Sequence, residues 1–305
     1  MSFDVICFGA LNMDKLYRVN KIAREEEESF ITDFKEKPGG SAANTAVGLA
    51  RFDLKIGFIG KVASDREGKL LLRDFEDEKV DTNGIVVSKS GRSGVVMGYV
   101  DKKGDRALYV DPGVNDFLEF EEIDLEYAES TDIFHLTSFV ADKPFQAQIK
   151  LLKHLPDVKV SFAPGELYAR RGLASLKPII ERSFVMFPNE NEVRLLTGKS
   201  YEKGSEILLN EGACIVVVTL GGRGCYVTDG TVTRLVEPCE VEVVDTTGAG
   251  DAFCAGFLYG LIKNRDLREC GRIGNFVASR CLQKVGAREG LPRLSTLQSS
   301  FPDAS

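Results

Sequence analysis

Histidine is nearly missing from this chain: only His135 and His154 occur. Two histidines are too few for a His-rich zinc site and a poor start for a Ser-His-Asp triad. No C-x-x-C pair is found among the seven cysteines, and their odd number suits a reducing cytosol better than a disulfide framework. Cys7, Cys214, Cys254 and Cys281 sit among apolar neighbours and read as small core residues. No apolar run is long enough to cross a bilayer, so no membrane partner is expected. An excess of positive charge is also lacking. The net charge of −7 argues against nucleic acid as a partner. The opening residues, Met1 to Gly9, lack a basic start and a small-residue cleavage site. They read as a buried strand, and the expected location is cytoplasmic.

What is present is a regular alternation. With 305 residues, 43% of them hydrophobic, the chain can bury a sizeable core. Short apolar runs at Val5–Gly9, Ile56–Gly60, Asp132–Leu136, Val158–Phe162, Phe184–Phe187 and Cys214–Thr219 read as strands. Helical patterns lie between them, at Ala42–Arg51, Gly68–Glu78, Phe145–His154, Glu190–Thr197 and Tyr201–Glu211. Such a pattern predicts an α/β fold with a mainly parallel central sheet and helices on both faces.

Two segments interrupt that rhythm. Asp14–Lys37 carries a polar run, Arg24–Glu28, followed by strand-like residues 29–34. Arg92–Asp111 reads as a β-hairpin around the turn Lys102-Lys103-Gly104-Asp105. Strands inserted in this way predict a small separate sheet, a lid over a site, so residues 1–305 are expected to form one α/β domain with a discontinuous lid. Its free edges suggest a homodimer paired through the lid. The tail Ser295–Ser305 is polar and reads as frayed.

The most informative stretch is Asp245-Thr246-Thr247-Gly248-Ala249-Gly250-Asp251-Ala252-Phe253. An apolar run, Val241–Val244, reads as a strand, and a helix with small residues starts at Gly248 and continues to about Ile262. Small residues at a helix start expose backbone N–H groups at the positive end of the helix dipole, a ready anion site. Asp251 in that first turn suits a simple cap. It equally suits a general base, since phosphoryl transfer needs donors for the phosphoryl oxygens and an acceptor for the attacking hydroxyl's proton.

This stretch, continued by Cys254-Ala255-Gly256-Phe257, resembles the C-terminal signature of the ribokinase family, the PfkB-type carbohydrate and nucleoside kinases. The resemblance spans nearly the whole chain. Pro38-Gly39-Gly40-Ser41-Ala42-Ala43-Asn44 is similar to the family's N-terminal signature, and Gly9-Ala10-Leu11-Asn12-Met13-Asp14 to the end of its first strand. Pro188-Asn189-Glu190-Asn191-Glu192 resembles its Asn-x-x-Glu motif, and Thr219-Leu220-Gly221-Gly222-Arg223-Gly224 its nucleotide loop.

The resemblance implies an ATP- and Mg²⁺-dependent kinase that phosphorylates a hydroxyl of a sugar or nucleoside. Asp251 would be the general base, with the backbone of Gly248, Ala249 and Gly250 as the anion hole. Asn12, Asp14, Gly39, Gly40 and Asn44 would hold substrate, and Thr219, Gly221, Gly222, Gly224 and Asn275 the nucleotide, with Gly286-Ala287 beside the base. Asn189 and Glu192 would orient Mg²⁺ through water, and Asp245 and Thr247 a monovalent cation, K⁺.

Taken singly, several motifs have plainer readings. Gly39-Gly40 suits an ordinary helix start, Asn189 with Glu192 an N-cap, and Gly221–Gly224 a turn. Where ribokinase carries an acidic residue after the middle strand, this chain has Thr137, which argues against ribose itself. Lys37, Arg92 or Arg106 could supply charge for a phosphorylated sugar. ADP as donor stays open. A Rossmann oxidoreductase is disfavoured because the third glycine of its fingerprint is absent and an acid occupies the pyrophosphate position. The other alternative is a catalytically silent sugar-binding module on the same fold.

Overall fold

The computed structural model describes residues 2–301. In chain order the strands are β1 Val5–Phe8, β2 Asn12–Val19, β3 Ile31–Gly39, β4 Ile56–Ala63, β5 Val80–Asp81, β6 Ile85–Ser88 and β7 Gly94–Val100, then β8 Arg106–Asp111, β9 Ile133–Thr137, β10 Lys159–Ala163, β11 Ser183–Met186, β12 Ile215–Thr219, β13 Cys225–Thr228 and β14 Thr233–Val236. The main sheet runs β14-β13-β12-β11-β10-β9-β1-β4-β5, with β6 also beside β4. Every pairing in it is parallel except β12 with β13 and β13 with β14. Strands β1, β4 and β9 are buried at every residue, as expected of strands covered on both faces.

Strand β1 pairs with β4 on one side and β9 on the other, so the order of the chain reverses there. In open α/β sheets such a switch leaves a crevice at the carboxyl ends of the strands, where ligands bind. The helices Ser41–Ala50, Ala249–Ile262 and Leu267–Leu282 close one core; those at 142–154, 173–180, 190–197 and 201–210 close the other. Glycines let the helices of the first core approach closely. A Cβ at Gly256 would stand 2.9 Å from the Ile273 carbonyl oxygen, and one at Gly260 would stand 3.0 Å from Cys270 Cα.

The two interrupting segments form a separate sheet, in the order β3-β2-β7-β8. Strands β7 and β8 make the expected hairpin, and β2 joins them in parallel through pairs such as Asp14 with Val96. Strand alternation gives this lid one face toward the body of the protein: Asp14, Leu16 and Arg18 of β2, and Asp33, Lys35 and Lys37 of β3, all line a common cavity. Strands β3 and β8 lie at the outer edges, with no further partner strand among the described residues, and Phe30, Ile31, Leu108 and Tyr109 are exposed. These are the open edges that a dimer paired through the lid would use.

Three expectations are corrected. Val241–Val244 is not a strand; Val243 and Val244 are exposed, and the Val244 and Asp245 N–H groups donate to Leu282 O. The run is held by the end of the helix Leu267–Leu282 and not by the edge of the sheet at β14. Cys214 is exposed at the turn before β12, although its neighbours are apolar. The tail is not frayed through residue 300: Leu294–Ser300 is helical, Leu297 is fully buried, and Phe301 packs edge-on against Phe276. One apolar side chain per turn suffices to dock it. Residues 302–305 lie outside the described residues.

Candidate active site

Asp251 occupies the first turn of the helix Ala249–Ile262, whose N-cap is Gly248. Gly248 has φ +75°, and a Cβ there would lie 2.4 Å from the Ala287 side chain. Glycine is therefore required both for the turn and for the contact. The Ala249 N–H bonds back to Thr246 O at 3.3 Å and the Ala252 N–H to Gly248 O at 2.9 Å, so Gly250 and Asp251, between them, form the first turn at the open end of the helix. A Cβ on Gly250 would meet nothing within 4 Å. The space in front of that backbone is open.

The Asp251 carboxylate is gripped from the facing helix. Ser41 Oγ donates to Oδ1 at 2.5 Å and Asn44 Nδ2 to Oδ2 at 2.8 Å. Burial pushes the Asp251 carboxyl up to about 6, against the lowering effect of these two hydrogen bonds and of Arg288. Such a group is ionised at neutral pH yet basic enough to accept a proton.

Asn44 is itself held, since Arg288 Nε donates to its Oδ1 at 2.8 Å. Arg288 also pairs with Asp74. Asp14, on lid strand β2, completes the group. Burial raises its carboxyl to about 6 as well; Arg288 opposes that rise and Asp251 reinforces it. A Cβ on Gly39 would fall 2.2 Å from Asp14 Oδ2, so the glycine leaves room for the carboxylate. Gly40, at φ +105°, turns the chain into the helix that carries Ser41 and Asn44. Asp14 and Arg288 both border a cavity of about 650 Å³ between the lid and the body.

Asn12 is not part of that wall. Its side-chain oxygen accepts from Asn115 Nδ2 at 3.1 Å, and Asn115 in turn bonds both Leu11 N and Leu11 O. That arrangement ties the lid to the body and commits the Asn12 side-chain oxygen to Asn115.

Asn189 and Glu192 form a reciprocal cap. Asn189 Oδ1 accepts from Glu192 N at 2.9 Å, and Glu192 Oε2 accepts from Asn189 N at 3.0 Å. Glu192 is buried, and its carboxyl is raised to about 7, chiefly by that burial. Asn189 also bridges to Thr219, which brings the motif beside the Gly221–Gly224 turn at the carboxyl end of β12. Gly221 and Gly222 face open space, whereas a Cβ at Gly224 would strike Val236 O at 2.0 Å. Asn275 Nδ2 is committed to Val236 O and Glu237 O, so it fixes the chain after β14.

Asp245 works as a clamp. Its Oδ1 accepts from Thr247 N and Oγ1, at 3.0 and 2.8 Å, and its Oδ2 from Gly286 N at 2.8 Å. Asp245 and Thr247 both border the lid cavity, and so do Gly286 and Ala287.

The structure thus gathers Asp14, Gly39, Gly40, Asn44 and Asp251 into one cluster. Sequence reasoning overlooked Ser41 and Arg288, which hold Asp251 directly and through Asn44. Their contacts span 210 and 244 positions. The only local hints were a hydroxyl at the helix start and an arginine between Gly286-Ala287 and Glu289-Gly290.

The profile of the pfkB family carbohydrate kinases matches residues 2–294. An uncharacterised sugar kinase of Archaeoglobus fulgidus is 46% identical over 250 residues, covering 81% of this chain and 99% of the relative. An ATP-dependent ribose-1-phosphate kinase of Halopiger xanaduensis is 33% identical over 285 residues, 93% of each chain. Among solved structures, a Thermotoga maritima ribokinase superposes with a TM-score of 0.89 at 24% identity, covering 99% of this chain and 100% of that one. An Arabidopsis thaliana ribokinase complexed with ribose and ATP superposes with a TM-score of 0.86 at 23% identity, covering 98% of each chain. These likenesses set aside the oxidoreductase alternative.

Proposed function

The chain belongs to the pfkB family of carbohydrate kinases, and on that premise we propose that it transfers the γ-phosphoryl group of ATP to a sugar hydroxyl with Asp251 as general base. The observation that carries this reading is the Asp251 carboxylate, fixed by Ser41 and Asn44 at an open helix start and raised to about 6. The acceptor oxygen attacks the γ-phosphorus and forms the new P–O bond. The bond from that phosphorus to the bridging oxygen breaks, ADP leaves, and the hydroxyl proton passes to Asp251. The first-turn backbone of Gly248, Ala249 and Gly250 receives the phosphoryl oxygens, whose charge favours the helix N-terminus. Thr219, Gly221 and Gly222 border the nucleotide, because an open glycine backbone admits close approach. The test is ATP-dependent phosphorylation of a panel of sugars, nucleosides and sugar phosphates. A protein that binds a sugar but phosphorylates no acceptor would support the silent-module alternative instead.

Asp14 is the residue for acceptor hydroxyls, because it is the carboxylate of the lid face that lies nearest the base cluster. Asp14→Ala removes a charge-assisted hydrogen bond, worth about 1.5–3 kcal/mol. Acceptor KM is expected to rise about 10- to 150-fold with ATP KM nearly unchanged. An equal rise in both would mean the site is misplaced.

For the metal, no three His, Cys, Asp or Glu side chains gather into a ligand group among the described residues. One buried carboxylate, Glu192, stands beside the Asn189 amide. That sparse set fits Mg²⁺, which keeps most of its own waters. Bound with the nucleotide, the ion would neutralise charge on the phosphates. Glu192→Gln keeps the cap but loses the charge, so the Mg²⁺ concentration for half-maximal rate is expected to rise several-fold. An unchanged Mg²⁺ titration would leave the pair as a helix cap alone. The same titration in potassium and in tetramethylammonium salts tests Asp245 and Thr247 as a K⁺ position; equal rates would dismiss it.

A further inference from the structure

Arg288 is a charged side chain in an unusual position. It is only 7% exposed, yet it lines the cavity between lid and body. Its Nε is spent on Asn44 and its Nη1 on Asp74, while its Nη2 finds no hydrogen-bond partner among the described residues. A buried guanidinium nitrogen left without an acceptor is costly, and such groups in native proteins call for an explanation, an absent ligand among them.

The surroundings point the same way. The other cations of the cavity wall fall into two groups. Arg51 is paired with Glu78 and Lys37 with Glu289. Arg18, Lys35 and Arg106, all on lid strands, border the same cavity and take part in no ion pair among the described residues. An acidic chain of net charge −7 has therefore placed uncommitted positive charge on the lid face of the cavity that Arg288, with its unpartnered Nη2, also lines.

We infer that Arg288 reads an anionic group on the acceptor, and that the acceptor is a phosphorylated sugar. This rests on the kinase reading above and narrows its substrate class. Arginine suits the task, because its fork matches the oxygens of a phosphate and its charge survives burial. The position also suits a single sugar unit. Arg288 is one side chain removed from the base, through Asn44, so one small molecule can meet Arg288 with its phosphate, Asp14 with a hydroxyl and Asp251 with the reacting hydroxyl. A purely structural arginine would hold Asn44 and Asp74 and would be indifferent to the acceptor's charge.

The experiment compares kcat/KM for a free pentose, its 1-phosphate, its 5-phosphate and a nucleoside, with saturating ATP, in the native protein and in Arg288→Gln. The native protein is expected to favour a phosphorylated acceptor by at least tenfold. In Arg288→Gln the phosphorylated acceptor loses about 10- to 150-fold, the range for one charge-assisted contact, mostly in KM. The free sugar also loses activity, because Arg288 holds Asn44 against the base, but that loss falls in kcat and is at least tenfold smaller than the loss for the phosphorylated acceptor. Inorganic phosphate should compete with the acceptor in the native protein and fail to do so in the variant. Equal losses for charged and uncharged acceptors would make Arg288 a structural tie and overturn the inference. A native protein that prefers free sugar or nucleoside overturns it without any variant, even where Arg288→Gln does not fold. Calorimetric binding of the sugar phosphates without ATP separates the two readings: tight, Arg288-dependent binding with no transfer would refute the kinase mechanism and leave the anion site standing.

Discussion

Asp251→Asn is expected to lower kcat about 10²- to 10⁴-fold, the usual contribution of a general base, while ATP affinity stays the same or improves. The amide keeps the shape of the carboxylate, and its oxygen can still accept from Asn44 while Ser41 reorients. It cannot take the proton of the attacking hydroxyl. The pH dependence gives an independent reading. Asp251 and Asp14 both have carboxyls near 6 and both must be ionised, so kcat/KM should fall as pH drops through about 6 with a limiting slope approaching two. In the variant only the Asp14 limb remains, and the slope should approach one. Stability should move in the opposite direction to activity. A carboxyl raised from 3.8 to about 6 on folding contributes stability that is fully present below pH 3.8 and is lost as pH rises through about 6. At neutral pH the ionised carboxylate therefore weakens the fold, and Asp251→Asn should melt higher than the native protein at pH 7.5, with the gap closing toward pH 4. A variant with near-full turnover would reduce Asp251 to a helix cap.

Gly250→Val is expected to cost about 10²- to 10³-fold in transfer, the scale seen when one donor to a developing oxyanion is lost, with the melting temperature little altered. The separation of effects comes from the geometry. Gly250 has no positive φ, and a side chain there would meet no protein atom within 4 Å, so the folded chain accommodates it. Only something that approaches the backbone from outside would collide, and the proposed phosphoryl group does. The neighbouring Gly248→Val gives the contrast. It combines φ +75° with a collision against Ala287, and it should destabilise the protein before any question of catalysis arises. Full activity in a stable Gly250→Val protein would remove the anion hole from the mechanism.

The sequence alone determined what depends on short-range pattern. The continuous apolar strands, the helix over Glu190–Thr197 with its Asn189–Glu192 cap, and the lid hairpin were legible because neighbours along the chain create them. So was the helix start at Gly248, where glycine, alanine and aspartate stand side by side. What failed in the reading failed for want of a partner. Val241–Val244 has the composition of a strand, but the N–H groups of Val244 and Asp245 bond to Leu282 O and not to a neighbouring strand, and Cys214 has apolar neighbours along the chain yet is exposed. The tertiary structure decided the chemistry of the site. Asp251 becomes a poised base only when the helix Ser41–Ala50 brings Ser41 and Asn44 against it from more than 200 positions away and the packing around it raises its carboxyl. Arg288 likewise has no meaning within its own loop. Its burial, its hold on Asn44 and its uncommitted nitrogen arise from the meeting of the Gly286–Gly290 loop with the helices at 41–50 and 66–77, because burial and charge compensation are properties of a packed neighbourhood and not of a segment.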